Sequence, residues 1–138
     1  MAKSDYKLDQ AVGFLMRRAN QRHLSVFAEI IPELTPMQFA ALAKLHEKGA
    51  LSQNHLGRET AMDAATIKGV IERLTARGWV TTKDDPDDRR RLSVALTPDG
   101  RALTASLLDK AEAINSATLQ PLSVREQETF VDLLRKLT

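Results

Sequence analysis

A chain of 138 residues with 43% apolar and 28% charged side chains fits one globular domain that can bury a core without cross-links. Cysteine is absent, which excludes disulfides, thiolate metal sites and a thiol redox switch; no apolar run approaches the roughly 18 residues of a membrane span, and no signal-peptide core opens the chain, so a cytoplasmic protein is expected. The net charge is only +2, so any affinity for nucleic acid has to come from local clustering.

In chain order, Leu8, Val12, Leu15, Met16, Ala19, Val26, Phe27 and Ile30 recur at three- and four-residue steps, which predicts one long amphipathic helix stopped by Pro32. Thr35-Pro36 reads as an N-cap followed by proline at the first helical position, with Phe39, Leu42, Ala43 and Leu45 as the stripe and Gly49 as the C-terminal cap. Ser52 caps a short third helix bearing Leu56. Asp63 caps a fourth, in which Ile67, Val70, Ile71 and Leu74 share a face and Gly78 ends the run. Trp79 to Lys83 and Arg91 to Leu96 are β-like, the second alternating Leu92, Val94 and Leu96 with polar or small residues. Thr97-Pro98-Asp99 starts a fifth helix carrying Leu103, Leu107, Leu108, Ala111 and Ile114, and Pro121 breaks it. Ser123 and Glu126 form a capping box for a last helix with Phe130, Leu133, Leu134 and Leu137. The expected fold is mainly α with a small two-stranded β-hairpin: a winged helix-turn-helix over residues 35–97, with terminal helices over 5–31 and 98–138 left seeking another partner.

The stretch KDDPDDRRR sets Lys83, Arg89, Arg90 and Arg91 against Asp84, Asp85, Asp87 and Asp88, so its charges cancel. A purely electrostatic tether to DNA has no use for four carboxylates. A carboxylate beside an arginine accepts a charge-assisted, often bidentate bond and fixes the guanidinium's direction. An arginine aimed from a narrow tip in this way suits a DNA minor groove; an exposed turn of mixed charge is the alternative. On the fourth helix, the face away from the apolar stripe carries Ala65, Lys68, Gly69, Glu72, Arg73 and Ala76, with Thr66 in the first turn. That face is slim enough for a major groove about 12 Å wide, although an ordinary solvated face also fits, and Glu72 favours it.

LTPMQFAALAKL, LGRETAMDAATIKGVIERLTARGWV and DDPDDRRRLSVALTPDGRAL resemble successive motifs of the MarR family of transcriptional regulators, over Leu34 to Leu103. The most specific part is Asp-x-Arg followed by a strand and Leu-Thr-Pro-x-Gly. The resemblance implies a dimer on double-stranded DNA, with residues 63–77 as recognition helix. It further implies that Asp88 holds Arg90 and Arg90 reaches the minor groove, with Arg89 beside it. Ala65 stands where many relatives carry a hydroxyl, which puts one operator contact in doubt.

Independently of the resemblance, apolar stripes at both ends of a small chain favour isologous pairing, which would set two recognition helices about one DNA turn apart on a pseudo-palindromic operator. No enzyme is indicated. His23, His46 and His55 fall on three elements without metal-ligand spacing, and no phosphate loop, nucleophile elbow or triad motif occurs. No cofactor or metal is expected. The competing class is a helical protein-interaction adaptor, which would leave the arginine-tipped hairpin without a purpose. The first helix also carries Arg17, Arg18, Arg22 and His23, donors whose planar forks suit carboxylates and phosphates, unless they merely solvate the helix. YKLDQAVGFLMRRANQRHLSVFAEI resembles the first helix of MarR-type regulators of aromatic-acid catabolism, which implies a repressor released by a small aromatic carboxylate or an aryl-CoA thioester.

Overall fold

The computed structural model describes residues 4–88 and 90–138. The first stripe is not one helix. A 3-10 turn, Leu8–Gln10, gives way at Ala11, whose extended backbone precedes α1, Val12–Ile30. A three-residue step serves a 3-10 turn as well as an α-helix, so apolar spacing alone conceals the break. Pro36–Lys48 forms α2 under a full capping box: Thr35 Oγ1 accepts from the Gln38 N–H, and Gln38 Oε1 accepts from the Thr35 N–H. The helix-turn-helix then comprises α3, Gln53–Glu59, capped by Ser52, and α4, Ala64–Ala76, capped by Asp63.

The sheet corrects the expected two-stranded hairpin. Leu51–Ser52 is a strand, β1, that pairs antiparallel with β3, Leu92–Leu96, which in turn pairs with β2, Val80–Asp84, in the order β1-β3-β2. Leu51 faces Val94, and the β2–β3 ladder runs from Val80 opposite Leu96 to Asp84 opposite Leu92. Two residues show no period, and their partner lies some forty positions away, so nothing local announces them. Asp84 belongs to β2, and the hairpin loop begins at Asp85.

Helices α5, Pro98–Thr118, and α6, Val124–Lys136, complete the chain. Phe27, Ile31, Leu42, Leu45, Leu56, Ile67, Leu74, Val94 and Leu107 meet in one buried core. Phe27 and Phe39 add an edge-on ring contact at 6.2 Å. Leu108 of the expected α5 stripe faces outward, and α6 buries none of its side chains.

One junction ties α4 and the wing to α5. Thr97 Oγ1 donates to the Gly78 carbonyl at 2.7 Å and accepts from the Gly100 N–H at 3.0 Å, while the Thr97 N–H donates to the Trp79 carbonyl. Gly100 lies against that same carbonyl so closely that a Cβ would overlap its oxygen. Gly100→Ala must therefore push α5 off the base of the wing. Urea titration is expected to show it less stable by about 1–3 kcal/mol or more, the scale of overpacking against rigid backbone; unchanged stability would mean that α5 tilts freely here.

Candidate nucleic-acid interface

The exposed face of α4 is the one the sequence marks out. Ala65, Lys68, Glu72, Arg73 and Ala76 are exposed and Thr66 and Gly69 half-buried, opposite the fully packed Ile67, Val70, Ile71 and Leu74. The helix starts firmly. Asp63 Oδ1 accepts from the Thr66 N–H at 2.8 Å, and this bond holds the carboxyl below the usual carboxylate range. An ionised cap also sits well at the positive end of the helix. From behind, α3 is fastened to α2 by Glu59, which accepts from Lys48 at 3.4 Å and lies 3.1 Å from His55 Nε2. The Lys48 ammonium, then His55, keep Glu59 below its ordinary value.

The wing tip is built by two aspartates. Asp85 donates its N–H to the Arg91 carbonyl, and its Oδ1 accepts from the Asp87 N–H at 2.9 Å. Asp88 Oδ1 accepts the Arg90 N–H at 2.9 Å, and the Arg90 Nε only at 3.4 Å. The Arg91 N–H returns to the Asp88 carbonyl. Asp88 therefore directs Arg90 chiefly through its backbone rather than by a bidentate grip, and the Arg90 side chain stays 92% exposed. Arg89 lies outside the described residues. Asp85 was not singled out from sequence; the signal was there in Asp-Pro-Asp, since aspartate bonds readily to the backbone two residues on. Arg77 stacks on the Trp79 ring at 4.1 Å, adding a cation at the base of the wing.

The four donors of α1 separate. Arg22 Nε and Nη2 donate to the Thr118 and Ala117 carbonyls at 3.2 and 3.0 Å, and His23 Nδ1 shares a 2.9 Å hydrogen bond with Thr118 Oγ1. These two residues hold α1 to the last turn of α5, whose terminal carbonyls and negative dipole end welcome a cation. Arg17 and Arg18 instead flank the Phe14 ring, at 5.6 and 6.0 Å from its centroid, and are exposed. An open apolar cleft of about 590 Å³ runs between α1, α5 and α6, lined by Leu15, Met16, His23, Leu119, Phe130 and Leu134 among others.

Residues 33–91 match the MarR family. The chain is 40% identical over 134 residues, 96% of its length and 85% of the other protein, to the HTH-type transcriptional repressor NicR of Pseudomonas putida. The protein belongs to the MarR family. Its backbone superposes on a probable transcriptional regulator from Pseudomonas aeruginosa with a TM-score of 0.91 and 53% identity, over 96% of this chain and 100% of that one. It matches BpsR of Bordetella bronchiseptica, whose DNA binding is regulated by 6-hydroxynicotinic acid, with a TM-score of 0.92 and 44% identity, over 97% of each chain. The order of helices, the wing and the terminal helices are thus those of a MarR-type winged-helix regulator.

For such a regulator the wing geometry fixes the sign of two substitutions. Arg90→Ala is expected to weaken operator binding by about 1–3 kcal/mol. Asp88→Ala should weaken it as well, although it deletes a negative charge near DNA, because the Arg90 backbone loses its anchor. Fluorescence anisotropy decides: tighter binding by Asp88→Ala would show that bare charge outweighs orientation.

Proposed function

We propose that this MarR-family regulator acts in the cytoplasm as a homodimeric repressor that releases its operator when a small aromatic carboxylate binds beside α1. The observation that carries the DNA half is the Asp85–Arg91 loop. It is a tip closed by its own aspartates that projects Arg90, on the same lobe as the slim face of α4. Arg90 would lie in the minor groove while Thr66, Lys68 and Arg73 meet the adjacent major groove.

The dimer reading rests on surface that the chain leaves open. Leu15, Met16, Phe130, Leu133 and Leu134 are all exposed large apolar side chains on α1 and α6, and a two-fold partner seated across the α1–α6 cleft would bury them. No helix of the described residues is long and apolar enough to cross a membrane. An adaptor without DNA specificity has no use for the wing.

Support for an aromatic carboxylate comes from two sides. BpsR, a relative at 44% identity, is regulated by 6-hydroxynicotinic acid, a pyridine carboxylate and a free acid rather than a thioester. On this chain, Arg17 and Arg18 each place a guanidinium over the Phe14 ring. That combination suits a flat anion. Arg22 and His23 play the transmitting part, since they already join α1 to α5.

Two outcomes are expected. Affinity for duplex DNA from upstream of its own gene should exceed that for unrelated duplex at physiological salt and fall steeply as salt rises, as phosphate neutralisation requires; equal affinity for both would refute sequence-specific regulation. Calorimetry with 6-hydroxynicotinate should show weaker binding to the protein–operator complex than to the free protein, by the same factor that the acid weakens DNA binding, typically about 1–3 kcal/mol. Identical affinities would exclude release by this ligand, because a ligand indifferent to the two states shifts nothing. Arg17→Ala or Arg18→Ala should lose the response and keep DNA binding.

A further inference from the structure

Gly69 stands in the interior of α4, where glycine loses more backbone freedom on folding than alanine and weakens the helix. Nothing among the described residues requires it. A Cβ built there meets no atom closer than Arg73 Nη1 at 3.7 Å, the far end of a flexible side chain. Its φ is negative, so alanine would suit the backbone equally well.

The contrast with the other glycines is sharp. A Cβ on Gly57 would press on the Met62 carbonyl and Ile67, one on Gly100 would overlap Trp79, and Gly49 and Gly78 have left-handed backbone. Gly13 also has open space, but it lies in the first turn of α1, where little helix is lost. Gly69 alone is both mid-helix and without a neighbour. It sits on the outward side of α4, one turn after Ala65 and one turn before Arg73, away from the packed Ile67, Val70, Ile71 and Leu74.

We infer that Gly69 is a specificity-determining residue of the operator complex: it is the point where the α4 backbone comes closest to the base-pair edges, and a side chain there would hold the helix out of the groove. The inference rests on the reading of α4 as the recognition helix. Major-groove readout needs side chains such as Lys68 and Arg73 to reach base edges at hydrogen-bonding distance. Both lie on the same outward face, so the depth to which the backbone sinks sets their reach. Phosphate contacts made from the flanks and the wing tolerate a slightly raised helix; base contacts do not. A Cβ at position 69 should thus act on specific binding and spare non-specific binding.

Gly69→Ala and Gly69→Leu are the test, read by thermal melting and by anisotropy on two labelled duplexes, one from upstream of the protein's own gene and one unrelated. Gly69→Ala should melt about 2–4 °C higher, as a relieved mid-helix glycine predicts, yet bind the upstream duplex about tenfold more weakly. Gly69→Leu should weaken that binding further, and both variants should hold the unrelated duplex within about twofold of the parent. Two results overturn the inference while leaving the DNA reading intact: a parent that prefers its upstream DNA with Gly69→Ala doing so equally well, or a Gly69→Ala protein that melts lower than the parent. A parent that does not discriminate the two duplexes at all refutes the recognition-helix reading, and this inference with it.

Discussion

The placement of α4 and the wing depends on the short junction between Gly78-Trp79 and Thr97-Gly100. Through Thr97, one hydroxyl both caps α5 and binds the Gly78 carbonyl that follows α4. Gly100 lets the α5 backbone sit on the Trp79 carbonyl at the root of β2. The end of α4, the base of the wing and the start of α5 thereby become one rigid piece. A side chain in this contact would have to displace backbone, which packed interiors resist. The Leu-Thr-Pro-x-Gly signature thus has a mechanical reading: a cap, a pre-set φ at the first helical position and a residue with no Cβ, all at one crossing.

The electrostatics of the winged lobe follow a different logic from bulk attraction. A chain of net charge +2 cannot rely on its whole field, and its wing is locally neutral. Asp85 and Asp88 use their carboxylates on backbone N–H groups, so the loop carries its own scaffold. Arg90 is then presented from a defined backbone rather than gripped by its head. Against a stiff, narrow groove, direction is worth more than additional charge, because a mobile cation would gain the same phosphates anywhere along the duplex.

Features fixed by neighbours in sequence were legible, and those fixed across the fold were not. Thr35, Ser52, Asp63, Thr97 and Ser123 all cap helices as read, since a cap bonds only two or three residues ahead. The outward face of α4 was equally clear from its 3.6-residue period. By contrast, β1 exists only because Leu51 and Ser52 lie beside β3, and Ala11 interrupts a stripe whose spacing runs through it. The four cations of α1 show the same limit. Their density was visible, but Arg22 is directed to Ala117 and Thr118, some 95 residues away, while Arg17 and Arg18 stay on Phe14. Only the tertiary fold divides a cluster into two that brace and two that remain available.

Under the proposed function, that division would supply a route from ligand to DNA through parts already rigid. Arg22 and His23 clamp α1 to the last turn of α5, and Thr97 and Gly100 clamp the first turn of α5 to the end of α4 and the wing. Helix α5, 21 residues long, is continuous between the two clamps and spans about 30 Å at 1.5 Å per residue. In the proposed switch, an anion drawing Arg17 or Arg18 toward itself would rotate or shift α1. Because both ends of α5 are fastened, that shift would turn α4 and the wing as a body instead of dissipating in a loop. The soft place is then the apolar surface of α1 and α6, where helices slide by small steps at little cost. In the proposed dimer, a rigid lever pivoting on a compliant apolar seam would need only a small change at α1 to move the two α4 helices out of register with successive major grooves.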